Sequence, residues 1–198
     1  MDLYRTIEKP CSASFTEKRS KFLAFAYPVE TVEEAMTYVA TLSKEYFDAR
    51  HVCYAYMIGH ERNIFRANDN GEPSGTAGKP ILGQINSFQL TNIVIVVVRY
   101  FGGIKLGTPG LISAYRQAAH DVIETSVIVE RHVTKDIMFT FPYLVMNDVM
   151  KLTRQPSVQV LSVEYDNTCS MTVRVELDYV EVLQSRLCNI DGVIIMDF

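Results

Sequence analysis

Hydrophobic residues are most concentrated near the middle of the chain, where Ile93 to Val98 is an unbroken β-branched run. A run of this length is too short to cross a bilayer and predicts a strand buried on both faces. The chain then becomes polar at Arg99 and passes through a glycine-rich loop. Thr108 and Pro109 are typical of the N-cap and first position of a helix, which continues with apolar residues at three- and four-residue spacing.

The sequence before this run switches between patterns typical of strands and of amphipathic helices. A capping box at Thr31 to Glu34 begins the most regular helix, which carries an apolar stripe through Tyr46. The other predicted elements are a hairpin of strands at 12–15 and 21–29 joined at 17–20, strands at 51–58 and 63–67, a polar loop at 68–79, and a short helix from Pro80 through Phe88. This order predicts an α+β or α/β sandwich with its helices on one face.

The pattern changes after residue 125, because residues 126–136 are charged and lose their period, as in a linker or a connecting strand. A β-α-β-β-α-β order follows, which is that of the ferredoxin-like split motif. Its predicted elements are strands at 137–141, 158–165, 170–177 and 193–196, a helix at 143–153, a second helix capped by Asp178 and Glu181, and a turn at Asp166–Asn167. We therefore predict an α+β protein of two domains, residues 1–130 and 135–198.

Composition and charge narrow the classes of function. A hydrophobic content of 48% and a charged content of 21% are typical of a globular protein with a substantial core. Up to Thr134 the chain has 14 basic and 14 acidic residues, and the remainder has 5 and 9. The net charge of -4 therefore comes from the C-terminal part. This distribution argues against a global electrostatic grip on nucleic acid and leaves a local basic patch in the N-terminal part as the alternative.

The four cysteines lie far apart without a C-x-x-C pair, and the histidines share no ligand spacing. We therefore predict no disulfide framework, no metal site and no cofactor. Reduced thiols favour a cytoplasmic protein. The first ten residues have no apolar segment typical of a secretory leader, and no stretch approaches the roughly 20 apolar residues of a membrane span.

Arg99 and Lys105 flank the glycine-rich loop that joins the buried strand to the following helix. Positive charge beside the free N–H groups of a helix start is the chemistry of an anion-binding site. Two alternatives remain, a solvated charge pair or a buried structural ion pair of Arg99 with Asp69 or Glu72. Three glycines of the loop favour close approach of a ligand to the backbone, because glycine has no side chain to obstruct it: Gly102, Gly103 and Gly107.

The polar loop at 68–79 supplies further candidate binding residues, which are Glu72, Ser74, Thr76 and Lys79. Its Gly78-Lys79 pair before a helix resembles a phosphate-binding loop. However, Pro73 and Pro80 occupy the positions of the first glycine and of the magnesium-binding hydroxyl, so we predict no nucleotide hydrolysis. Asp69, Glu72 and Ser74 are the best candidates for acid–base chemistry, although such loop carboxylates more often cap turns.

His51 and Cys53 are the remaining reactive pair in the sequence. On a strand they lie on one face about 6.6 Å apart, which is beyond a direct hydrogen bond. This spacing favours a structural cysteine and a half-buried histidine over a thiol nucleophile with its base. We keep His51 as a candidate binding residue and assign no catalytic residue.

Four segments resemble the IMPACT/YigZ family, namely 20–22, 50–56, 68–82 and 96–107. The last two, NDNGEPSGTAGKPIL and VVVRYFGGIKLG, are highly specific together. Where the family usually has Gly-Thr-Gly-Gly, this chain has Gly107-Thr108-Pro109-Gly110. The resemblance implies an N-terminal α+β sandwich of the ribosomal-protein/RNase-PH-like class, a C-terminal ferredoxin-like domain, and a role in translation and stress regulation.

These observations favour a non-enzymatic regulatory or binding protein. Its expected partners are RNA, the ribosome or a translation-related protein, contacted through Arg99, Lys105, Lys79 and the glycine loops. One alternative is a small hydrolase such as a dipeptidase, an activity sometimes attributed to bacterial members of the resembled family. The other is an adaptor that binds a protein through the aromatic strand His51 to Tyr56. The sequence predicts no oligomeric state.

Overall fold

The computed structural model describes residues 3–166 and 168–196 of the 198-residue chain. Contacts divide the chain into two compact units, of which the first is Tyr4–Arg131 and the second runs from His132 onward and includes Leu3. Strands and helices are mixed in both, so the protein is of mixed α/β type. Among the described residues, no helix is long and apolar enough to cross a membrane.

The first unit is built on a five-stranded antiparallel sheet with the strand order β2-β3-β6-β4-β5. A separate two-stranded sheet pairs β1 with β7. The elements of this unit are β1 (Leu3–Ile7), β2 (Cys11–Glu17), β3 (Ser20–Pro28), α1 (Val32–Glu45), β4 (His51–Ile58), β5 (Ile64–Asn68), α2 (Gly78–Ser87), β6 (Ile93–Tyr100), α3 (Gly107–Glu124) and β7 (Ile128–His132).

Strand β6 lies at the centre of this sheet, and its side chains alternate between two hydrophobic cores. Ile93, Ile95 and Val97 belong to a core with residues of α2 and α3, whereas Val94 and its alternate neighbours belong to a core with residues of α1. Helices therefore cover both faces of the sheet, and the expectation of helices on one face is wrong. Periodicity identifies the buried stripe of a helix but not the sheet face that it covers, so the sequence pattern alone does not separate α1 from the layer of the other helices.

Several local boundaries differ from the predictions for physical reasons. The hairpin turn is shorter than expected, because Lys18 and Arg19 adopt φ values of 45° and 66° and close a two-residue connection. Helix α2 begins two residues before Pro80, and α3 begins at Gly107, so Pro109 is the third helical residue rather than the first. Proline is tolerated there because the first-turn N–H groups have no acceptor within the helix. The short strand β1 was not predicted.

The second unit contains a four-stranded antiparallel sheet with the strand order β11-β8-β10-β9. Alternate residues of β10, from Cys169 to Val175, face a core completed by α4 and α5. Helix α5 has no side-chain cap, so the cap expected from Asp178 and Glu181 is wrong. The predicted Asp166–Asn167 turn includes Asn167, which lies outside the described residues. The elements are β8 (Thr134–Pro142), α4 (Met146–Thr153), β9 (Val158–Glu164), β10 (Thr168–Glu176), α5 (Val180–Cys188) and β11 (Ile194–Met196).

Candidate anion-binding site

A cavity of about 420 Å³ opens in the first unit where β6 ends and α3 begins. We call it the Arg99 cavity. Four segments of the chain form its wall: the start of β4, the loop after β5, the end of β6, and the first turn of α3. Its lining residues are Arg50, His51, Gly71, Glu72, Pro73, Arg99, Phe101, Lys105, Leu106, Gly107, Thr108 and Leu111.

Arg99 is buried in the wall of this cavity, with only 5% of its surface exposed. Its Nη1 donates a hydrogen bond to Glu72 Oε1 at 2.5 Å, and its guanidinium carbon lies 5.6 Å and 5.7 Å from the ring centroids of Phe22 and Phe101. Its Nε has no hydrogen-bond partner among the described residues. The expectation that Arg99 is an exposed cation is therefore wrong, and the alternative of a buried ion pair with Glu72 is what the structure contains.

Glu72 connects Arg99 to a second buried group, the hydroxyl of Tyr115 on α3, which donates to Glu72 Oε1 at 2.9 Å. Tyr115 Oη in turn lies 3.3 Å from Cys53 Sγ. Burial is the main cause that raises the pKa of the Cys53 thiol from 9.0 to about 12, against the lowering effect of the hydrogen bond to Tyr115. Burial also raises the pKa of Tyr115 far above its ordinary value. Both groups therefore stay protonated at neutral pH.

The loop that carries Glu72 is held in shape by one carboxylate, that of Asp69. It accepts backbone N–H bonds from Gly75, Ala77 and Gly78 at 2.8 to 2.9 Å. Burial acts to raise the pKa of Asp69, but these N–H donors outweigh it and hold the pKa below its ordinary value of 3.8. Asp69 therefore shapes the loop, as expected for a carboxylate that caps a turn, and Glu72 projects from that loop to Arg99.

His51 lies at the cavity wall, 19 residues before Asn70, whose carbonyl oxygen is 2.8 Å from His51 Nδ1. Its Nε2 is 3.9 Å from Glu72 Oε2. Cys53 contacts Asp69 O and Tyr115 instead of His51. These contacts agree with the predicted structural cysteine and half-buried histidine.

The glycines of the β6–α3 loop have different roles. A Cβ atom at Gly102 would lie 2.0 Å from the backbone carbon of Arg19, so chain packing requires a glycine at this position. Gly103 and Gly107 adopt φ values of 87° and 71°, which glycine adopts without strain. A Cβ at Gly103 would meet no atom within 4 Å, so the space beside it is open.

The first turn of α3 forms part of the cavity wall. Gly107 and Thr108 line the cavity together with the exposed cation Lys105. Their N–H groups precede the first intrahelical bonds and lie at the positive end of the helix dipole. The N-cap is Leu106 rather than Thr108. Lys105, Gly107 and a helix start therefore lie in one place, as predicted, although the N-cap of the helix is two residues earlier than expected.

The comparisons with known proteins agree on a family. The Impact N-terminal domain model matches residues 18–123. The IMPACT family member YvyE of Bacillus subtilis is 32% identical over 173 residues, which are 87% of this chain and 80% of that protein. The chain belongs to the IMPACT family.

A solved structure extends the likeness beyond the matched domain. A crystal structure of a hypothetical protein has a TM-score of 0.79 at 26% identity and covers 100% of this chain and 98% of its own. The structure of Yih1, described as a two-domain translational regulator, is 24% identical, covers 62% of this chain and 47% of its own, and has a TM-score of 0.35. That score is too low to support any conclusion about this chain.

The matched Impact N-terminal domain, residues 18–123, contains every residue that lines the Arg99 cavity. The cavity also includes residues that sequence reasoning missed as site residues, notably Arg50 and Phe101. Arg50 directly precedes a strongly predicted strand, so its charge at a strand end was the available signal. Phe101 follows Arg99 in the loop, but nothing in the sequence distinguishes an exposed ring from a core ring.

Five predicted site residues of this IMPACT-family chain lie outside the cavity lining. Gly102 and Gly103 belong to the β6–α3 loop, and the other three belong to the polar segment 68–79. Ser74 is exposed, whereas Thr76 is buried and its hydroxyl donates to Pro73 O at 2.6 Å. Lys79 is exposed and lines a separate groove of about 400 Å³ with Arg116. The loop that carries all three therefore contributes only its Gly71 to Pro73 segment to the Arg99 cavity.

The aromatic strand considered as a protein-binding surface is β4. Both its edges are occupied, by β6 and β5, and Tyr54 and Tyr56 are each 6% exposed. Their rings lie in the core that faces α1. The hypothesis of an adaptor that binds through this strand is therefore wrong, because the strand was predicted without its neighbours.

Proposed function

We propose that this chain is a non-enzymatic regulatory protein that binds an anionic partner in the Arg99 cavity. The expected partner class is RNA, or a surface of the ribosome or of a translation-related protein. The observation that carries the proposal is the convergence of Arg50, Arg99 and Lys105 on one cavity at the start of α3. Concave sites with a few converging polar groups are the usual form of a binding site, and the helix start adds N–H donors and a favourable dipole.

The charges of the cavity support a local contact with nucleic acid rather than an extended one. Glu72 is the one carboxylate in its lining, and it is already paired with Arg99. The excess acid of the chain lies after Thr134, in the second unit. An acidic second unit disfavours a partner that binds along the whole chain through its phosphate backbone, whereas binding confined to the cavity depends on the charges of the cavity lining.

The groups behind the cavity support binding rather than hydrolysis. A nucleophile must be deprotonated or have a base beside it. The Cys53 thiol, with its pKa raised to about 12, and the Tyr115 hydroxyl, with its pKa raised further, are both buried and protonated at neutral pH. His51 contacts neither of them and has Asn70 O as its close partner. We therefore favour a binding role over the dipeptidase-like alternative.

The proposal also includes a role in translation and a fold class for each of the two domains. We infer the ribosomal-protein/RNase-PH-like class for the N-terminal domain, residues 1–130, and the ferredoxin-like class for residues 135–198. The strand order β11-β8-β10-β9 supports the second assignment, since it places the first and third strands of the motif at the centre of the sheet. Four free cysteines support a reducing, cytoplasmic environment.

The test is RNA and ribosome binding by the Arg50→Ala/Lys105→Ala variant across a series of salt concentrations. Both side chains are exposed, so the variant is expected to fold normally. Each lost phosphate contact should reduce the slope of log affinity against log salt by roughly 0.7 for a single strand. Lys44→Ala is the matched control, because Lys44 is an exposed cation in the last turn of α1, outside the cavity lining.

Two outcomes would contradict the proposed function. One is the absence of RNA and ribosome binding by the wild-type chain at low salt. The other is a double variant that binds with the same affinity and salt dependence as Lys44→Ala.

A further inference from the structure

The formal charges of the Arg99 cavity indicate the charge of the ligand. Arg50, Arg99 and Lys105 contribute three positive charges and Glu72 one negative charge, which leaves +2 with His51 counted as neutral. A carboxylate or a phosphodiester carries one negative charge. A phosphate monoester carries about −1.5 to −2 at neutral pH. The cavity is therefore matched best to a monoester.

Arg99 provides an observation that is independent of the helix start. It is 5% exposed, it lines the cavity, and its Nε has no hydrogen-bond partner among the described residues. Its Nη2 has only a long contact, 3.5 Å to Ser20 Oγ. The guanidinium therefore has donor capacity that Glu72 does not use, and a phosphate oxygen in the cavity would be an acceptor for Nη2. Arg99 lines the same cavity as Gly107, Thr108 and Lys105.

The remaining wall of the cavity is apolar and contains an accessible aromatic ring. Phe101 is 42% exposed and lies beside the Arg99 guanidinium, and Pro73, Leu106 and Leu111 complete the apolar surface. An aromatic ring beside a cation is the combination on which nucleobases stack. A cavity of about 420 Å³ is within the range for a small ligand.

We propose that the Arg99 cavity binds a nucleotide through a terminal phosphate monoester, with the base against Phe101. The phosphate oxygens accept hydrogen bonds from Arg99, Lys105 and the first N–H groups of α3. This inference rests on the proposed function and makes it more specific, because it assigns the cavity to a phosphorylated end rather than to the phosphodiester backbone. The same chemistry is offered by a free nucleoside monophosphate and by the phosphorylated end of a single strand.

The first experiment compares ligands for the wild-type chain by calorimetry. The probes are short single-stranded RNA with a 5′-phosphate, a 3′-phosphate or two hydroxyl ends, together with AMP, adenosine and inorganic phosphate. We expect a strand with a phosphorylated end to bind at least about tenfold more tightly than the hydroxyl-ended strand. The hydroxyl-ended strand lacks the charge-assisted hydrogen bonds that the monoester accepts. AMP should bind more tightly than adenosine. The ratio of AMP to phosphorylated RNA distinguishes the two sources.

The second experiment separates the base from the phosphate. Phe101→Leu keeps an apolar side chain but removes the ring, so it should weaken AMP binding by about fivefold or more and leave inorganic phosphate binding unchanged. Lys105→Ala should weaken both, and Lys44→Ala should weaken neither. Thermal unfolding of each variant checks that the fold is retained.

The outcomes distinguish this inference from the proposed function. Equal affinity for phosphorylated and hydroxyl-ended RNA would overturn the monoester assignment and leave RNA binding in place. Failure of every RNA and of ribosomes to bind would overturn both. A peptide with a free C-terminal carboxylate that competes with AMP and binds as tightly would also overturn the inference. The site would then recognise a single negative charge rather than a phosphate monoester.

Discussion

A guanidinium that is 5% exposed needs compensation for its charge inside the protein, and Arg99 obtains it from Glu72. Both side chains are nearly inaccessible, and Tyr115 shares the same carboxylate oxygen. The pair therefore connects the loop after β5 to the end of β6 and to α3. At the scale of single residues, Arg99 both supports the fold of the first unit and forms part of its cavity.

We expect Arg99→Ala to lower the free energy of unfolding by roughly 3–5 kcal/mol, because it leaves the buried Glu72 carboxylate without its cation. Chemical denaturation of the variant and of the wild type measures this difference. Lys105→Ala is the control, and since Lys105 is exposed its effect should stay within about 0.5 kcal/mol.

A double-mutant cycle with Arg99→Met and Glu72→Leu tests the pairing itself. The double variant should lose less stability than the two single variants together, because neither buried charge then remains unpaired. An Arg99→Ala variant as stable as the wild type would contradict the buried ion pair.

At the scale of elements, the loop between β5 and α2 is ordered by hydrogen bonding rather than by a hydrophobic core. Asp69 binds three backbone N–H groups across residues 75–78. A Cβ at Gly78 would lie 2.4 Å from the backbone nitrogen of Asn68, so the start of α2 packs directly on the end of β5. These two constraints position Glu72 in front of Arg99.

The stability contributed by Asp69 should depend on pH in a defined direction. Because its pKa is lowered in the folded chain, the contribution is complete above its ordinary value of 3.8 and is lost as the pH falls through the lowered folded value. We therefore expect the difference in unfolding free energy between wild type and Asp69→Asn to be constant from about pH 7 to 5 and to shrink below about pH 4.

Denaturation of both proteins at a series of pH values measures this dependence. Asp148→Asn, which changes an exposed carboxylate on α4, is the control and should stay within about 0.5 kcal/mol. If the difference in unfolding free energy between wild type and Asp69→Asn grew as the pH fell, the predicted direction of the pH dependence would be wrong.

At the scale of the whole molecule, each unit has a core of its own. The core of the first unit is divided by its sheet, whereas the second unit has one core between its sheet and helices α4 and α5. Contacts are dense inside each unit, which is the usual property of separately folding domains. The boundary between the two contact units lies at His132, and a domain boundary between residues 130 and 135 stays a prediction.

Val173→Asp should unfold the second unit and leave the first largely folded. Val173 is fully buried and pairs with Ile137 and Val160. An aspartate there would bury an unpaired charge and lower the free energy of unfolding by an amount on the order of several kcal/mol. Two-dimensional NMR should show loss of dispersed signals from residues after 132 alone. Thr172→Asp is the control, because Thr172 lies one residue earlier on the opposite, partly exposed face of β10. Loss of signals from both units in Val173→Asp would contradict independent folding.

The sequence by itself determined the local elements whose patterns are strong. The β-branched run of β6 predicted a strand buried on both faces, and the observed alternation of its residues between two cores agrees with that prediction. Thr31 caps α1 by accepting the N–H of Glu34 at 3.1 Å, as the capping box indicated. These features depend on neighbours within a few residues, so the chain encodes them without reference to the rest of the fold.

Only the tertiary structure decided which distant residues meet. Glu72 is 27 residues from Arg99, and the choice between Glu72 and Asp69 as its partner depends on a loop shape set by three backbone hydrogen bonds. The sheet order β2-β3-β6-β4-β5 brings Arg50 and His51 to the end of β6, because β4 runs antiparallel beside it and pairs His51 with Arg99. Periodicity reports which side of an element is buried, but pairing between strands decides what lies opposite it.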